Sequence, residues 1–509
     1  MIVKYPLLKN KLILLSTGLI CSLVFTKAQN VWSYTYSQNR PIMYFSSIAK
    51  CDSGFVIVGG TRDTNGTNYT RILLANIDSD GVMGNITTLG DAQTKNYGAF
   101  YNSLIVTVKG LFYYTGYTVD TAAKLLVLKK HIDSDTITLY EYYTPNSYAF
   151  QGCKMVETAF GFYVCGVRTD ATVNSADNVL LKIDSNGNRL WQKQFGANNR
   201  IEYVRSLVLL PNGNLMMGSF RSDFNQTNEK ANTWLLEVDT GGNIVRQWFD
   251  PNDSTYVAEG LRQTQDGGFI YGAQKKNYQS GFSSVSYNAT IVKLDSNFNK
   301  QWTFNASSHR SIYDGITDIE ELPDGNFIAA GHLSYYGTDT ALNGYIVKLD
   351  ADGNVIWERT YRGISTTQSL NFLSDIDILP DGGLIAVGQC QLSGATPPQV
   401  GWFLKLDSNG CEVENCLVGI EDQPQAPEGG FNNQLQIQPN PASDRVWLEV
   451  EPGMLGGELK LYDISGRLMK KLMVEALQFV VEVSDLSKGV YVTTIEHEGV
   501  LGRGKLVKE

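Results

Sequence analysis

The chain has 509 residues, enough for two or more domains, and carries a formal net charge of −10. Such an acidic balance excludes nucleic acid as a natural partner, because phosphate binding is driven by clustered Lys and Arg. Gly (49 residues) and Tyr (27) are abundant, a composition suited to turn-rich β-structure.

The N-terminus has the layout of an export signal. Lys4, Lys9 and Lys11 flank the start of a short apolar run over 12–25, and Thr26-Lys27-Ala28 offers a small-x-small cleavage site. This predicts a signal peptide over 1–28. The run is too short to span a bilayer, and Ile20 before Cys21 fits a lipidation site poorly. Export permits disulfides among Cys51, Cys153, Cys165, Cys390, Cys411 and Cys416. Cys411 and Cys416 are expected to close a small ring. Cys153 and Cys165 flank a predicted hairpin turn and are a possible second bridge. No Cys/His metal spacing occurs, so neither a metal nor a cofactor is expected.

From 29 to 417 the chain repeats itself. An apolar strand followed by Asp and a polar turn recurs at Asp78, Asp133, Asp184, Asp239, Asp295, Asp350 and Asp407, at steps of 51 to 57 residues. A turn Gly, an apolar run and a second Gly precede each of these markers. In the sixth repeat, strands are expected over 316–322, 327–331, 345–349 and 354–361, joined by tight turns at Pro323-Asp324-Gly325-Asn326 and at 350–353. Four short strands per repeat predict an all-β, seven-bladed β-propeller, with an eighth, poorly patterned unit as the alternative count. The fourth strand usually carries Trp: Trp191, Trp248, Trp302 and Trp357. The seventh repeat lacks it, but Val31-Trp32-Ser33-Tyr34-Thr35-Tyr36 near the N-terminus looks like such a strand. It is expected to complete the last blade and remove the exposed edges of the ring.

A propeller of this kind has tight turns on one face and long, variable loops on the other, where function usually sits. Candidate binding residues on those loops are Phe224, Tyr278, Tyr287, Tyr335 and Tyr336, with His309, Arg310 and Tyr313 on one connection and His332 beside it. Exposed aromatics with polar neighbours suit sugar or peptide contacts. Basic residues recur with Asp after the second strand, at Arg62-Asp63, Arg168-Thr169-Asp170 and Arg221-Ser222-Asp223. They are expected to form local ion pairs or, as a ring, to grip a carboxylate. The alternating Asp350 and Asp352 would suit calcium, although a full loop needs more oxygens. No metalloprotease helix, nucleophile elbow or phosphate loop is present. The leading expectation is a non-catalytic glycan- or protein-binding module. The alternative is an extracellular enzyme acting on polysaccharide at the channel mouth.

Residues 418–433 read as a linker, rich in Gln, Pro, Gly and Asn. Beyond it, 434–509 alternates apolar and polar residues and is expected to be a small antiparallel β-sandwich. This segment carries Pro439-Asn440-Pro441 with Asp444, then Tyr462-Asp463 with Gly466-Arg467, then Gly489 and Tyr491, and finally Lys505 near the end. These motifs, in this order, resemble the type A C-terminal sorting domain of the type IX secretion system. The repeats are similar to the bacterial outer-surface propellers often attached to it. The resemblance implies export through both membranes to the surface or beyond, recognition by the secretion machinery and its sortase, and possible anchoring to lipopolysaccharide.

Overall fold

The computed structural model describes the chain between 32 and 508 except for 37–41, 52–53, 63–68, 79–81, 91–94, 108–109, 121–122, 132–133, 135, 145–148, 171–174, 198–199, 224–230, 251–254, 278–285, 307–313, 335–340, 365, 367, 393–398, 412–434, 439–440, 451–453, 464–467 and 498–499. The expected signal peptide and linker lie outside the described residues. Among the described residues there is no α-helix.

Strand β1 is Trp32–Tyr36. The strands that follow group in fours: β2 (Ile42–Cys51), β3 (Gly54–Arg62), β4 (Thr70–Ile77) and β5 (Met83–Leu89); β6 (Asn96–Val106), β7 (Leu111–Val119), β8 (Ala123–His131) and β9 (Ile137–Tyr142); β10 (Ala149–Thr158), β11 (Gly161–Asp170), β12 (Ser175–Ile183) and β13 (Arg189–Phe195); β14 (Arg200–Leu209), β15 (Leu215–Asp223), β16 (Ala231–Val238) and β17 (Ile244–Phe249). The fifth and sixth groups are β18 (Thr255–Gln263), β19 (Phe269–Asn277), β20 (Ser286–Leu294) and β21 (Lys300–Asn305), then β22 (Gly315–Glu321), β23 (Phe327–Ser334), β24 (Leu342–Leu349) and β25 (Val355–Tyr361). The last group has three strands of its own, β26 (Ser369–Ile378), β27 (Leu384–Leu392) and β28 (Gln399–Leu406). Within each group, neighbours in sequence pair antiparallel. Strand β1 supplies the missing fourth member, running antiparallel to β28 with Trp32 opposite Lys405 and Tyr36 opposite Gly401. Trp402 Nε1 donates to Ser33 Oγ at 3.0 Å across that pair.

The apolar core lies between groups rather than within them. Seven clusters of buried side chains each draw on two successive groups. One of these joins the first and last groups, Met43 and Phe45 with Val387 and Phe403. Full burial of such side chains stabilises by about 1.5–3 kcal/mol each.

The recurring Asp turns explain how neighbouring groups dock. Asp184 Oδ1 accepts from the backbone N–H of Asn186 and Asn188, and Oδ2 accepts from the Asn188 amide. The same pattern repeats at Asp239, Asp295 and Asp350. The carboxylate oxygens are thus spent on the turn itself, which disfavours the calcium reading. The turn glycine that follows has positive φ and receives a ring from the preceding group. A Cβ at Gly353 would lie 2.6 Å from Trp302, and one at Gly410 would lie 2.7 Å from Trp357. In the fifth group Phe298 occupies the glycine position at φ 66° and packs against Trp248 instead.

The C-terminal part forms two sheets. One contains β29 (Gln436–Gln438), β30 (Arg445–Glu449) and β33 (Gln478–Glu482). The other contains β31 (Glu458–Asp463), β32 (Leu468–Met473), β34 (Gly489–His497) and β35 (Val500–Lys508). Both sheets contribute to a single core that includes Val446, Leu448, Leu459, Leu461, Val481 and Ile495.

Two cysteine expectations resolve differently. Cys411 is in a disulfide, and its expected partner Cys416 lies outside the described residues. The proposed Cys153–Cys165 bridge is not formed; both are free, buried thiols. The cause is a bulge. Lys154, not Cys153, stands opposite Cys165, so Cys153 is the extra residue in the slip of β10 against β11.

Candidate functional site

The first strands of the seven groups approach one another in succession, and β26 approaches β2. Each of them slips register against its partner near its middle: between Phe45 and Ser47, Ala99 and Leu104, Gly152 and Lys154, Val204 and Ser206, Ile316 and Asp318, and Leu373 and Asp375, and twice in β18 around Glu259. A bulge re-aims the side chains that follow it. Here the re-aimed residues, Leu104 apart, are polar or charged, and several of them meet where the first strands approach one another.

The centre of this cluster is a pair of carboxyl groups. Asp318 is 0% exposed and Asp375 is 4% exposed. Arg262 Nη2 lies 3.4 Å from Asp318 Oδ1, and the same guanidinium bonds Glu320. Asn102 donates to Asp318 and accepts from Lys154 Nζ. Asp375 Oδ2 accepts from the backbone N–H of Ile48 at 2.9 Å. Burial first, and the Asp318 carboxyl beside it second, push Asp375 well above the usual carboxylate range. The shift favours the protonated form of Asp375, which could then donate to Asp318. Burial and the Arg262 charge move Lys154 downward, with the carboxylates opposing.

Asn102 adopts φ 49°, a left-handed conformation uncommon for residues other than glycine. Gly260 at φ +58° is required, since a Cβ there would stand 2.8 Å from the Asp318 backbone. A small cavity of about 20 Å³, bordered by Tyr101, Lys154, Arg205, Glu259, Arg262 and Thr317, adjoins the pair. It holds roughly one water molecule. Tyr101 keeps 41% of its surface open, yet enclosure by the surrounding strands still raises its phenol.

A second charged cluster joins the third and fourth groups at the end where the long connections emerge. Arg221 Nε lies 2.9 Å from Glu202 Oε1, and Arg168 Nη1 lies 4.0 Å from Asp177 Oδ2. These bases pair across the sheet, in register with their partners. The side chains of Asp63, Asp170 and Asp223 lie outside the described residues. Arg221 also covers the stacked rings of Trp234 and Phe249. Burial pushes Glu202 up to about 7 against the pull of Arg221.

Of the loop candidates, Phe224, Tyr278, His309, Arg310, Tyr313, Tyr335 and Tyr336 lie outside the described residues. Tyr287 is on β20 opposite Lys276. His332 is half-buried on β23 and meets Phe372 edge-on, with ring centres 5.0 Å apart. Sequence reasoning missed the axial cluster. Its members are scattered over separate strands, and only a column alignment of the repeats, with Asp318 and Asp375 one repeat apart, carries a signal.

The C-terminal motifs converge at one end of their two sheets. Ala442 bridges Lys508, Asp463 stands opposite Tyr491, and Gly489 stands opposite Lys508. Tyr491 is buried and donates to the Ser487 carbonyl at 2.7 Å. Pro441 and Asp444 lie between β29 and β30, Tyr462 is next to last in β31, and Lys505 stands opposite Val492. Pro439, Asn440, Gly466 and Arg467 lie outside the described residues. Residues 436–509 match the secretion system C-terminal sorting domain. This segment is a type IX sorting domain. The sorting domain directs the chain to the cell surface or the extracellular space, and it implies interaction with the type IX secretion machinery.

No curated protein matches the chain. Several solved all-β structures resemble it weakly. A polysaccharide lyase, Uly1, is 8% identical with TM-score 0.44, covering 72% of this chain and 90% of its own. The α-L-arabinanase of Penicillium chrysogenum is 9% identical with TM-score 0.39, covering 75% and 99%. The β-propeller domain of the trilobed protease from Pyrococcus furiosus is 10% identical with TM-score 0.40, covering 76% and 98%. No activity passes from them to this chain.

Proposed function

We propose that the body of this exported chain is a closed seven-bladed propeller that binds a glycan or protein segment without transforming it. The seven paired groups are its blades, the clusters between groups are its blade interfaces, and β1 with the Ile48–Asp375 bond forms the seam. Residues 1–28 are the signal peptide, and 418–433 tether the sorting domain, which the sortase removes before the body is anchored to lipopolysaccharide or released.

The observation that carries the non-catalytic reading is the enclosure of the carboxyl pair. A catalytic acid or base must reach a substrate proton. Asp318 and Asp375 are enclosed, with Arg262 and Asn102 on Asp318 Oδ1 and the Ile48 N–H on Asp375 Oδ2, beside a cavity of about one water. Ligand contact then falls to the long connections after β15, β19 and β23, where Phe224, Tyr278, Tyr335 and Tyr336 lie. The face of short Asp turns offers little variety.

The test is a glycan and peptide array probed with the exported protein, each bound ligand then being assayed for chain cleavage. Binding without product, lost when Tyr278, Tyr335 and Tyr336 are replaced by Ala, is the expected result. Product formation that disappears in Asp375→Asn would establish the enzyme instead.

A further inference from the structure

We propose that Lys154 and Asn102 join in a covalent isopeptide bond, formed within the folded chain with release of ammonia, that ties the second group of strands to the third. The two residues lie 52 positions apart, on β10 and β6, yet Lys154 Nζ meets the side-chain amide oxygen of Asn102. The amide carbon, Cγ, is the next atom along. Reacting atoms held about 3–3.5 Å apart in one orientation gain the advantage of an intramolecular reaction. A lysine taken out of bulk water normally pairs with a carboxylate, but the hydrogen-bond partner here is an uncharged amide. Asn102 is presented by a left-handed backbone, φ 49°, which Asn tolerates better than most residues. Backbone outliers of this kind cluster where side chains must be aimed for chemistry.

The surroundings suit the step. A nucleophilic lysine must first shed its proton, and burial, then the Arg262 charge, lower Lys154 from the usual 10.5 to about 8. A carboxylate stands at the leaving group, because Asn102 Nδ2 donates to Asp318 Oδ1. The cavity that both reactants border holds about one water, so little solvent competes for the amide. The neutral amine attacks Cγ, and the Nζ–Cγ bond forms as the Cγ–Nδ2 bond breaks. Asp318 takes the proton that Nζ sheds and returns one to Nδ2, which departs as ammonia. An amine and a primary amide thus become a secondary amide and ammonia, with no oxidant or cofactor consumed.

The experiment takes the full chain, reduces its disulfides, digests it and maps the peptides by mass spectrometry. The expected product is a branched peptide joining Lys154 to Asn102, lighter than its two parent peptides together by one ammonia. Lys154→Arg and Asn102→Ala should each yield linear peptides only. Asp318→Ala keeps both reactants and should also stay unlinked, while Asp318→Glu returns a carboxylate and should recover the link, which mere support of the fold would not require. Linear peptides alone from the wild-type chain would overturn the inference. So would a branched peptide lighter by one water, which would put the bond on a carboxyl group instead of Asn102. The wild-type map decides even where a variant fails to fold.

Discussion

Ile48 and Asp375 are 327 positions apart in sequence, yet the backbone N–H of one donates to the carboxyl of the other at 2.9 Å. This bond joins the first and last groups at the axis and ties the seam to the carboxyl pair. Asp375→Asn mimics the protonated acid, accepting from Ile48 and donating to Asp318, so it should leave stability nearly unchanged at neutral pH. Asp375→Ala leaves a buried N–H and the Asp318 carboxylate without that partner, and should cost about 1–3 kcal/mol. Urea unfolding of the two variants separates them. Equal losses would refute the shared proton.

Glu202 sets a second pH dependence. Its folded value, about 7, lies above the ordinary glutamate range near 4.3. The stability it contributes is therefore complete below about pH 4 and is lost as pH rises through about 7. Glu202→Gln should flatten that part of the profile. The check is the difference in melting temperature between pH 5 and pH 8, which should shrink in the variant. Arg221 and Asp177 are the charged groups that set the effect and should be left intact.

The ring-on-glycine contacts predict an asymmetry among the turns. Gly353→Ala and Gly410→Ala place a Cβ at positive φ and against an indole. Each should destabilise by about 1–3 kcal/mol. Gly325 also has positive φ, but nothing lies within 4 Å of a Cβ there, so Gly325→Ala should show the backbone term alone. Phe298→Gly relieves its strained φ but empties a site packed against Trp248 and Phe269. Loss of a core Phe costs about 3–5 kcal/mol, so this change should be destabilising on balance. Thermal melts of the four variants test the ordering.

Removing residues 29–36 should leave the β1 edge of β28 unpaired and expose Trp402, whose indole N–H then loses Ser33. A drop of several kcal/mol is expected, on the scale of about 3–5 for loss of a core aromatic. An unchanged melting temperature would rule out a structural role for β1.

Ending the chain at Asn433 should leave the protein in the periplasm, since everything matched as a sorting domain lies beyond it. Cell fractionation reads the result directly. Normal surface levels of the shortened chain would contradict it.

The repeats, their tight turns and the sorting motifs were legible because each is a local pattern of a few residues. The kinship of Trp32-Ser33-Tyr34 with the fourth strands was legible for the same reason, and β1 does pair with β28. The seating of Trp302 on Gly353 was not. Both motifs were visible separately, but their contact crosses from one group to the next. The axis was hidden more deeply. Lys154, Arg262, Asp318 and Asp375 lie on four different strands among other polar residues, and the bulge before or beside each one shifts the alternation that would mark it. The Cys153–Cys165 expectation failed at one of these bulges.

The pairing of β1 with β28 also sets an order of events. A chain threaded N-terminus first carries Trp32–Tyr36 unmatched until all six intervening groups have passed, because its partner is the last strand of the body. Contacts so remote in sequence close late. Once β28 has passed and before β1 docks, its free edge can accept any strand of the right pattern, including β1 of another molecule. Crowding at the exit site therefore favours strand-exchanged dimers, and dilution favours the monomer.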